Sequence, residues 1–491
     1  MQKKISNGIN LPMILRVIGW LLMIEAAFMA APLLTGLIYG EDNLTAFICT
    51  IAATGGTGFA MTFFIRPSHT DMGKREGFLL TALVWVVFSA FGMLPFIIGA
   101  PRLNVSEAFF ESMSGFTTTG ASVIIDVETL PRSVLLWRCL MQWIGGMGII
   151  LFTLAVIPML NHSGGMQMFN AEVTGITHDK LRPRVSQTAK RLWAVYIVLS
   201  AVLCLLLWLG PMNFFDSVCH TLSTISTGGF STRNASIGAW DSVYINVVLT
   251  VFMFLGGVSF ALLYKASLGD VKALWGNDTF RAYVRVVLCV LVIFIICILV
   301  SGQYDSWDTL TLDPLFQIIS TITSTGYTVS NFESWGPLVM ALMFMLMFFG
   351  ECAGSTSGGA KIDRMLYLLK NTRNELYRSV HPNSIMAVRI NGKVIPAEIT
   401  DKVIAFLCIY VMVIMVGGIV LTAFNIPLVD AFFSSFSCVS NTGLGAGVTG
   451  YGGSYDLIPD PAKWVLSLLM LTGRLELFTV LILFTRGFWK K

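Results

Sequence analysis

Four short segments of the chain share one order of residue types that suits the binding of a cation. Each segment opens with an acid, carries a serine seven residues later and closes on a glycine thirteen residues after the acid. They run over residues 107–120, 216–229, 313–326 and 430–443. Glycine can take the left-handed backbone that turns successive carbonyls to one side, and rings of carbonyl oxygens can replace the water around an ion. The predicted chemistry is therefore cation coordination.

The last three residues of each segment are the predicted ligands. Carbonyl oxygens would bind the ion, and serine or threonine hydroxyls would brace the backbone or add ligands. The residues are Thr118, Thr119, Gly120, Thr227, Gly228, Gly229, Ser324, Thr325, Gly326, Asn441, Thr442 and Gly443. One such triplet alone is typical of an ordinary helix C-terminus. Four copies at equal spacing instead favour a shared cation path.

The composition is that of a chain that lies mostly in lipid. Of its 491 residues, 55% are hydrophobic and 12% are charged, whereas a soluble globular domain is about 25% charged. Several apolar stretches reach the length of about 20 residues that crosses the hydrocarbon core. We therefore predict an all-α polytopic membrane protein with ten membrane-crossing segments. They are assigned to residues 12–38, 43–65, 77–99, 134–160, 192–209, 240–264, 283–301, 336–378 (interrupted), 403–424 and 463–486.

Each repeated segment has the pattern of a helix that enters the membrane without crossing it. Its acid suits the first turn of a helix, and about ten helical residues span about 15 Å, half of a bilayer. Non-helical backbone at mid-membrane is tolerated where it lines a water-filled path. The predicted fold has two N-terminal transmembrane helices, in residues 1–70, and four helix–pore-helix–filter–helix repeats around one central pore. The repeats are assigned to residues 71–165, 185–270, 280–380 and 400–491.

The basic residues fall on one side of the predicted spans. Most lysines and arginines, including those of the run 361–402, lie in loops on that side. The positive-inside rule therefore places both termini in the cytoplasm. The outer loops hold acids instead, among them Glu41, Asp126, Glu333 and Asp456. These acids predict an acidic vestibule that concentrates cations.

A polar, glycine-rich stretch, Gly350–Lys361, interrupts the second helix of the third repeat. It contains four glycines and three hydroxyl residues, and such a stretch cannot form a stable helix against lipid. We therefore predict an intramembrane loop at residues 350–361. The alternative is a kinked helix that its neighbours seal.

Arg474 is a basic residue deep in the last span. It lies eleven residues after Lys463, which is about 16 Å along a helix. An ionisable residue at that depth is a candidate functional residue. The alternative is a structural ion pair with Glu476 or Glu351.

In these features the chain resembles, over nearly its whole length, the potassium transporter family that includes TrkH, TrkG, KtrB and the plant HKT proteins. The resemblance implies uptake of potassium and rubidium across a bacterial inner membrane, with modest selectivity over sodium. It also implies one filter glycine in each repeat, here Gly120, Gly229, Gly326 and Gly443. Finally, it implies a gate made of the intramembrane loop and a basic residue that faces the pore below the filter. The residues so implied are Gly350, Gly354, Ser355, Thr356, Ser357, Gly358, Gly359, Lys361 and Arg474.

The sequence points to a transport protein and not to an enzyme, because no nucleophile–base constellation is visible. Potassium is expected as cargo at the filter, and no covalently bound cofactor is expected. No cytoplasmic segment is long enough for a nucleotide-binding domain. The resemblance supplies that domain in a TrkA-like cytoplasmic regulatory subunit, and it implies a homodimer with one pore in each protomer. The predicted docking surface is formed by residues 161–191, 265–285 and 379–402, although ordinary positive-inside charge explains these segments equally well.

The main alternative is a symporter that couples potassium to protons or sodium. Secondary transporters also use broken helices and internal repeats. Their repeats usually number two, with acids at the mid-membrane site. Here four like segments recur, and the predicted spans hold few acids, among them Glu25, Glu351 and Glu476. These observations favour the pore.

Overall fold

The computed structural model describes residues 9–67, 72–146, 148, 185–302, 306–355, 358–384 and 386–490. Regular structure in these ranges is helical apart from one antiparallel hairpin, in which Arg389–Ile390 pairs with Lys393–Val394. Six of the described helices are long and apolar enough to cross a membrane, and eight spans result if each of two bent helix pairs counts as one. Of the ten predicted crossings, 134–160 lies only partly within the described residues, and 336–378 is interrupted.

Three helices precede the repeats. Leu11–Phe28 and Ala30–Tyr39 follow one another almost directly and together form one span, Leu11–Tyr39. The third helix, Leu44–Phe64, packs against the first two. This N-terminal part therefore contains two spans, as predicted.

Each repeat places one short helix of 12–16 residues after its first long helix. In the first repeat the helices are Lys74–Gly92, Leu94–Ile98, Val105–Phe116 and Arg132–Gly146. In the second they are Val185–Leu209, Phe214–Ile225, Val243–Gly256, Phe260–Ser267 and Lys272–Gly276. In the third they are Asp278–Ser301, Trp307–Ile322, Pro337–Phe349 and Ile362–Val380. In the fourth they are Ala397–Thr422, Leu428–Ser440, Asp460–Arg474, Phe478–Leu481 and Arg486–Trp489.

We call the short helices the first to fourth re-entrant helices; they are Val105–Phe116, Phe214–Ile225, Trp307–Ile322 and Leu428–Ser440. Glu107, Asp216 and Asp430 lie in the first turns of three of them, as predicted. Asp313 does not, because the third re-entrant helix begins earlier. There the hydroxyl of Ser306 caps the helix by accepting a hydrogen bond from the backbone amide of Thr309 at 3.3 Å. Asp308 then occupies the first turn.

Helix packing closes the four repeats into a ring. Each re-entrant helix packs against the long helix before it and the long helix after it in its own repeat. The helix that follows each re-entrant helix also packs against the re-entrant helix of the next repeat. The last of these contacts joins Asp460–Arg474 in the fourth repeat to Val105–Phe116 in the first. The re-entrant helices therefore surround one common centre.

Two of the predicted spans are bent in the structure. The segment predicted at 240–264 divides into Val243–Gly256 and Phe260–Ser267, at 107° to each other. The segment predicted at 463–486 divides into Asp460–Arg474 and Phe478–Phe484, at 112°. In the second case Glu476 and Leu477 both have positive φ, of 50° and 53°, through which no α-helix can continue.

Candidate functional site

All four re-entrant helices end with the same backbone turn. Thr118, Thr227, Ser324 and Asn441 are left-handed, with φ between 51° and 54°. The amide of the following residue donates to the carbonyl of the recurring serine at 2.8–2.9 Å; the pairs are Thr119 to Ser114, Gly228 to Ser223, Thr325 to Ser320 and Thr442 to Ser437. This is a Schellman-type helix end. Each copy therefore contains an ordinary helix C-terminus, as one triplet alone would suggest, and its last residues are also the candidate filter segment.

We call residues 118–120, 227–229, 324–326 and 441–443 the first to fourth filter segments. Their glycines are left-handed too, with φ of 84°, 84°, 80° and 75° in chain order. A Cβ on any of them would overlap a carbonyl oxygen of the next segment; the pairs are Gly120 with Gly228, Gly229 with Thr325, Gly326 with Thr442 and Gly443 with Thr119. The fourth pair returns to the first segment, so the four glycines and four carbonyls form a closed ring.

Hydroxyl pairs brace three of the four filter segments. In each pair the two side-chain oxygens lie 2.8 Å apart, and the pairs are Thr117 with Thr119, Thr323 with Thr325 and Ser440 with Thr442. These hydroxyls therefore contact one another rather than standing free. The second filter segment has glycine at the matching position, Gly228.

A cavity of about 350 Å³ opens on the side of the ring away from the re-entrant helix ends, and all four filter glycines line it. Its described lining holds two arginines, Arg138 and Arg233, and no carboxylate. The acids of the predicted vestibule therefore do not line this inner part of the mouth. Two acids of the re-entrant helices form ion pairs with these arginines: Glu111 accepts from Arg138 at 2.8 Å, and Asp216 lies 3.7 Å from Arg233.

The helix of the third repeat is broken where the sequence predicted a break. One helix ends at Phe349 and the next begins at Ile362. Gly350, Gly354 and Gly359 are left-handed. A Cβ on Gly358 would overlap the carbonyl oxygen of Ser440, so the loop lies directly against the end of the fourth re-entrant helix.

Two other predicted gate residues of this loop lie within the described part, and two do not. Lys361 is only 3% exposed. Its ammonium group donates to the hydroxyl of Ser355 at 3.2 Å. Thr356 and Ser357 lie outside the described residues.

Arg474 lies beneath the first filter segment. One guanidinium nitrogen donates to the hydroxyl of Thr118 at 3.3 Å, and the other donates to the carbonyl of Gly145 at 2.7 Å. The guanidinium carbon is also 5.6 Å from the ring centre of Trp85. Glu476, one of the ion-pair partners considered above, pairs with Arg364.

Sequence reasoning missed several residues that hold the site together. Glu111 and Arg138 form a buried ion pair, and their charges within apolar stretches were a visible signal. Gln142 bonds to the second filter segment, and the side chain of Asn441 bonds to Thr119 in the first. These last two contacts carry no sequence signal, because each joins repeats that are distant in the chain.

The fold and the site define a polytopic membrane protein in which four re-entrant segments meet in a closed ring of glycines and carbonyl groups. The TrkH family, described as cation transport proteins, matches residues 40–490, and the chain belongs to that family. It is therefore a transport protein and not an enzyme, as the sequence predicted.

Named relatives match the chain over nearly its full length. It is 37% identical to the Trk system potassium uptake protein TrkH of Salmonella typhimurium, over 97% of this chain and 99% of the relative. It is 31% identical to TrkG of Escherichia coli, over 99% of this chain and 100% of the relative. The crystal structure of the potassium transporter TrkH from Vibrio parahaemolyticus superposes with a TM-score of 0.89 at 34% identity, over 98% of this chain and 100% of that one.

Proposed function

We propose that this chain is a potassium uptake protein whose four filter segments form one gated pore for potassium and rubidium. The closed ring of glycines and carbonyls is the observation that carries the proposal. It sets four like segments around one axis, and such rings can replace the hydration shell of a cation. Full-length similarity to potassium uptake proteins supports potassium as the cargo.

Helix electrostatics favours a cation at the same place. The C-terminal end of a helix carries partial negative charge. All four re-entrant helices end at the filter segments, so four such ends converge there. Left-handed backbone at two residues in each segment turns carbonyls in a direction that a regular strand would not.

The gate of this proposal is the loop 350–361 together with Arg474. The loop packs against the end of the fourth re-entrant helix, and Arg474 lies under the first filter segment. Both therefore lie on the side of the ring opposite the cavity. A fixed positive charge there raises the energy of a passing cation, and the loop is a break between two helices directly below the ring.

The membrane arrangement and the partners follow the same proposal. The chain would lie in the inner membrane of a bacterium with both termini in the cytoplasm, as a homodimer with one pore in each protomer. A TrkA-like nucleotide-binding subunit would dock on the basic segments 265–285 and 379–402. The third predicted docking segment, 161–191, lies mostly outside the described residues.

Uptake of rubidium by liposomes that contain only this protein tests the proposal. We expect potassium-driven accumulation that sodium and lithium compete for poorly and that persists when the proton gradient is abolished. Uptake that stops when the proton or sodium gradient is collapsed would instead support the symporter. Absence of any cation flux from folded, monodisperse protein would refute the pore.

A further inference from the structure

The second filter segment lacks a group that the other three possess. In those three, a threonine stands just before the closing glycine, and its hydroxyl is paired at 2.8 Å with the hydroxyl two residues earlier. In the second segment the threonine position is Gly228. The ring of four carbonyls is therefore built on three braced segments and one segment without a brace of its own.

A side chain from another repeat occupies the missing place. Gln142 lies on the helix Arg132–Gly146 of the first repeat and is fully buried, with 0% exposure. A Cβ on Gly228 would overlap the carboxamide carbon of Gln142. The glutamine thus fills the volume that the threonine side chains fill in the other segments.

The carboxamide of Gln142 also makes three hydrogen bonds there. Its nitrogen donates to the carbonyl of Gly228 at 2.7 Å. Its oxygen accepts from the hydroxyl of Ser223 at 2.6 Å and from the amide of Phe230 at 3.2 Å. The bonds to Gly228 and Phe230 lie on either side of Gly229, so one side chain holds the backbone before and after the filter glycine.

These contacts reach the ring itself. The carbonyl of Gly228 is the one that faces Gly120. A carbonyl that already accepts a side-chain donor is held in one orientation and shares its negative charge between that donor and an ion. The backbone conformation of the second filter segment is therefore held by a side chain from the first repeat.

We propose that Gln142 is a positioning residue that sets the ion selectivity of the pore by bracing the second filter segment in place of the absent threonine. The proposal rests on the function proposed above, since it assumes that residues 227–229 are part of the filter. Under this proposal Gln142 and Gly228 depend on each other. The glutamine fits only because residue 228 has no side chain, and the segment is braced only because the glutamine is present.

The second segment is otherwise ready to accept a threonine. The φ of Gly228 is not positive, unlike that of Gly229, so its backbone suits a side chain. Ser226 occupies the place of Thr117, Thr323 and Ser440, two residues before. Its hydroxyl donates to the carbonyl of Leu222 at 2.8 Å, just as Thr117 donates to Met113 at 2.6 Å. A threonine at 228 would find the partner hydroxyl that the other segments use.

The test compares Gln142→Ala, Gly228→Thr and the double variant Gln142→Ala/Gly228→Thr. Each purified full-length protein is reconstituted in liposomes, and the ratio of rubidium to sodium flux is measured. Each single variant is expected to lower the ratio by about fivefold, the size expected when a buried hydrogen-bonding group loses its partner. The double variant is expected to return to within about twofold of the native ratio, because it rebuilds the brace of the other three segments.

Two further variants keep the result interpretable. Gln317→Ala removes an equally buried glutamine of the third re-entrant helix, and it is expected to change the ratio less than Gln142→Ala does. If Gln142→Ala does not fold, Gln142→Met removes the hydrogen bonds while keeping most of the volume, and the same fall is expected.

The inference is overturned if Gln142→Ala or Gln142→Met keeps the native flux ratio. It is also overturned if the fall of the ratio in the double variant equals the combined falls of the two single variants. Gly443→Ser, measured in parallel, separates this outcome from failure of the proposed function. A changed ratio in Gly443→Ser with an unchanged ratio in the Gln142 variants rejects only the role of Gln142. An unchanged ratio in both rejects the filter assignment itself.

Discussion

The side-chain amide of Asn441 donates a hydrogen bond to the hydroxyl of Thr119 at 3.0 Å, across 322 residues of chain. The same amide donates to the carbonyl of Met470 at 2.9 Å. Asn441 is left-handed, a backbone that asparagine tolerates better than most residues. This contact ties the fourth filter segment to the first, where the ring of repeats closes. The geometry of the ring of filter segments therefore depends on contacts between the first and the fourth repeat.

Gly443→Ser should weaken the selectivity for rubidium over sodium. The serine would have to take a left-handed backbone, at a cost of about 1–2 kcal/mol, and its Cβ would overlap the carbonyl oxygen of Thr119. The displaced carbonyl should lower the flux ratio by about tenfold. Rubidium and sodium fluxes in liposomes measure this ratio.

Gly452→Ser is the matched control for that change. Gly452 lines the same outer cavity and has a similar φ, 72°, but no atom lies within 4 Å of an added Cβ. It should keep the native ratio. Equal selectivity in native protein and Gly443→Ser would argue against the filter assignment.

Deletion of Gly354–Gly359 should raise basal flux in the absence of any regulatory subunit. The loop packs under the fourth re-entrant helix, so its removal should leave the path below the filter more open. Gly358→Ala should act in the same direction, since its methyl group would overlap the carbonyl of Ser440. Gly276→Ala, with open space around the new methyl group, is the control. Loss of flux with normal expression would indicate that the loop is structural instead.

Arg474→Gln should raise potassium flux by about tenfold, because it removes a positive charge from beneath the first filter segment. Arg474→Lys keeps the charge and should remain close to the native rate. Liposome flux at matched protein density measures both. If the lysine variant conducts as well as the glutamine variant, the hydrogen bonds to Thr118 and Gly145 matter rather than the charge.

Glu111→Gln should destabilise the folded protein. Arg138 and Glu111 are 2% and 0% exposed, and neutralising one partner leaves the other charge buried, at a cost of about 3 kcal/mol. Glu111 also accepts a hydrogen bond from the amide of Val123 at 3.0 Å, so the non-helical segment that follows the first filter segment should loosen as well. The thermal midpoint in detergent, followed by tryptophan fluorescence, should fall by several degrees.

An exposed ion pair near the same cavity serves as the comparison for the buried Arg138–Glu111 pair. Arg233 and Glu128 are 41% and 42% exposed at 3.4 Å, and such pairs contribute at most about 1 kcal/mol. Glu128→Gln should therefore leave the midpoint nearly unchanged. Equal shifts in the two variants would show that burial of the Arg138–Glu111 pair has no special weight.

The features that the sequence predicted correctly are those whose cause is local. Four apolar segments that end in hydroxyl residues and glycine stop a helix wherever they lie, because the turn is made by backbone bonds within six residues. The break at Gly350–Lys361 follows likewise from four glycines in one short run. Apolar length alone indicated most of the spans.

Where local signals competed, the predictions failed. Asp313 resembles the acids that open the other segments, yet Ser306 caps the helix earlier and takes over that role. The bend near Glu476 falls in a stretch without proline, whose apolar pattern continues on both sides. The outer acids predicted a negative mouth, but the described lining of the inner cavity contains Arg138 and Arg233 and no carboxylate.

By itself, the sequence determined that the chain spans a membrane, that it contains four equivalent segments and where each re-entrant helix must stop. Only the tertiary structure decided how the segments meet. The order of the ring, the contact of Gly443 with Thr119 and the reach of Gln142 to Gly228 all join residues far apart in the chain. Such contacts depend on the packing of whole helices, which brings distant side chains within a few ångströms, and no local pattern encodes them.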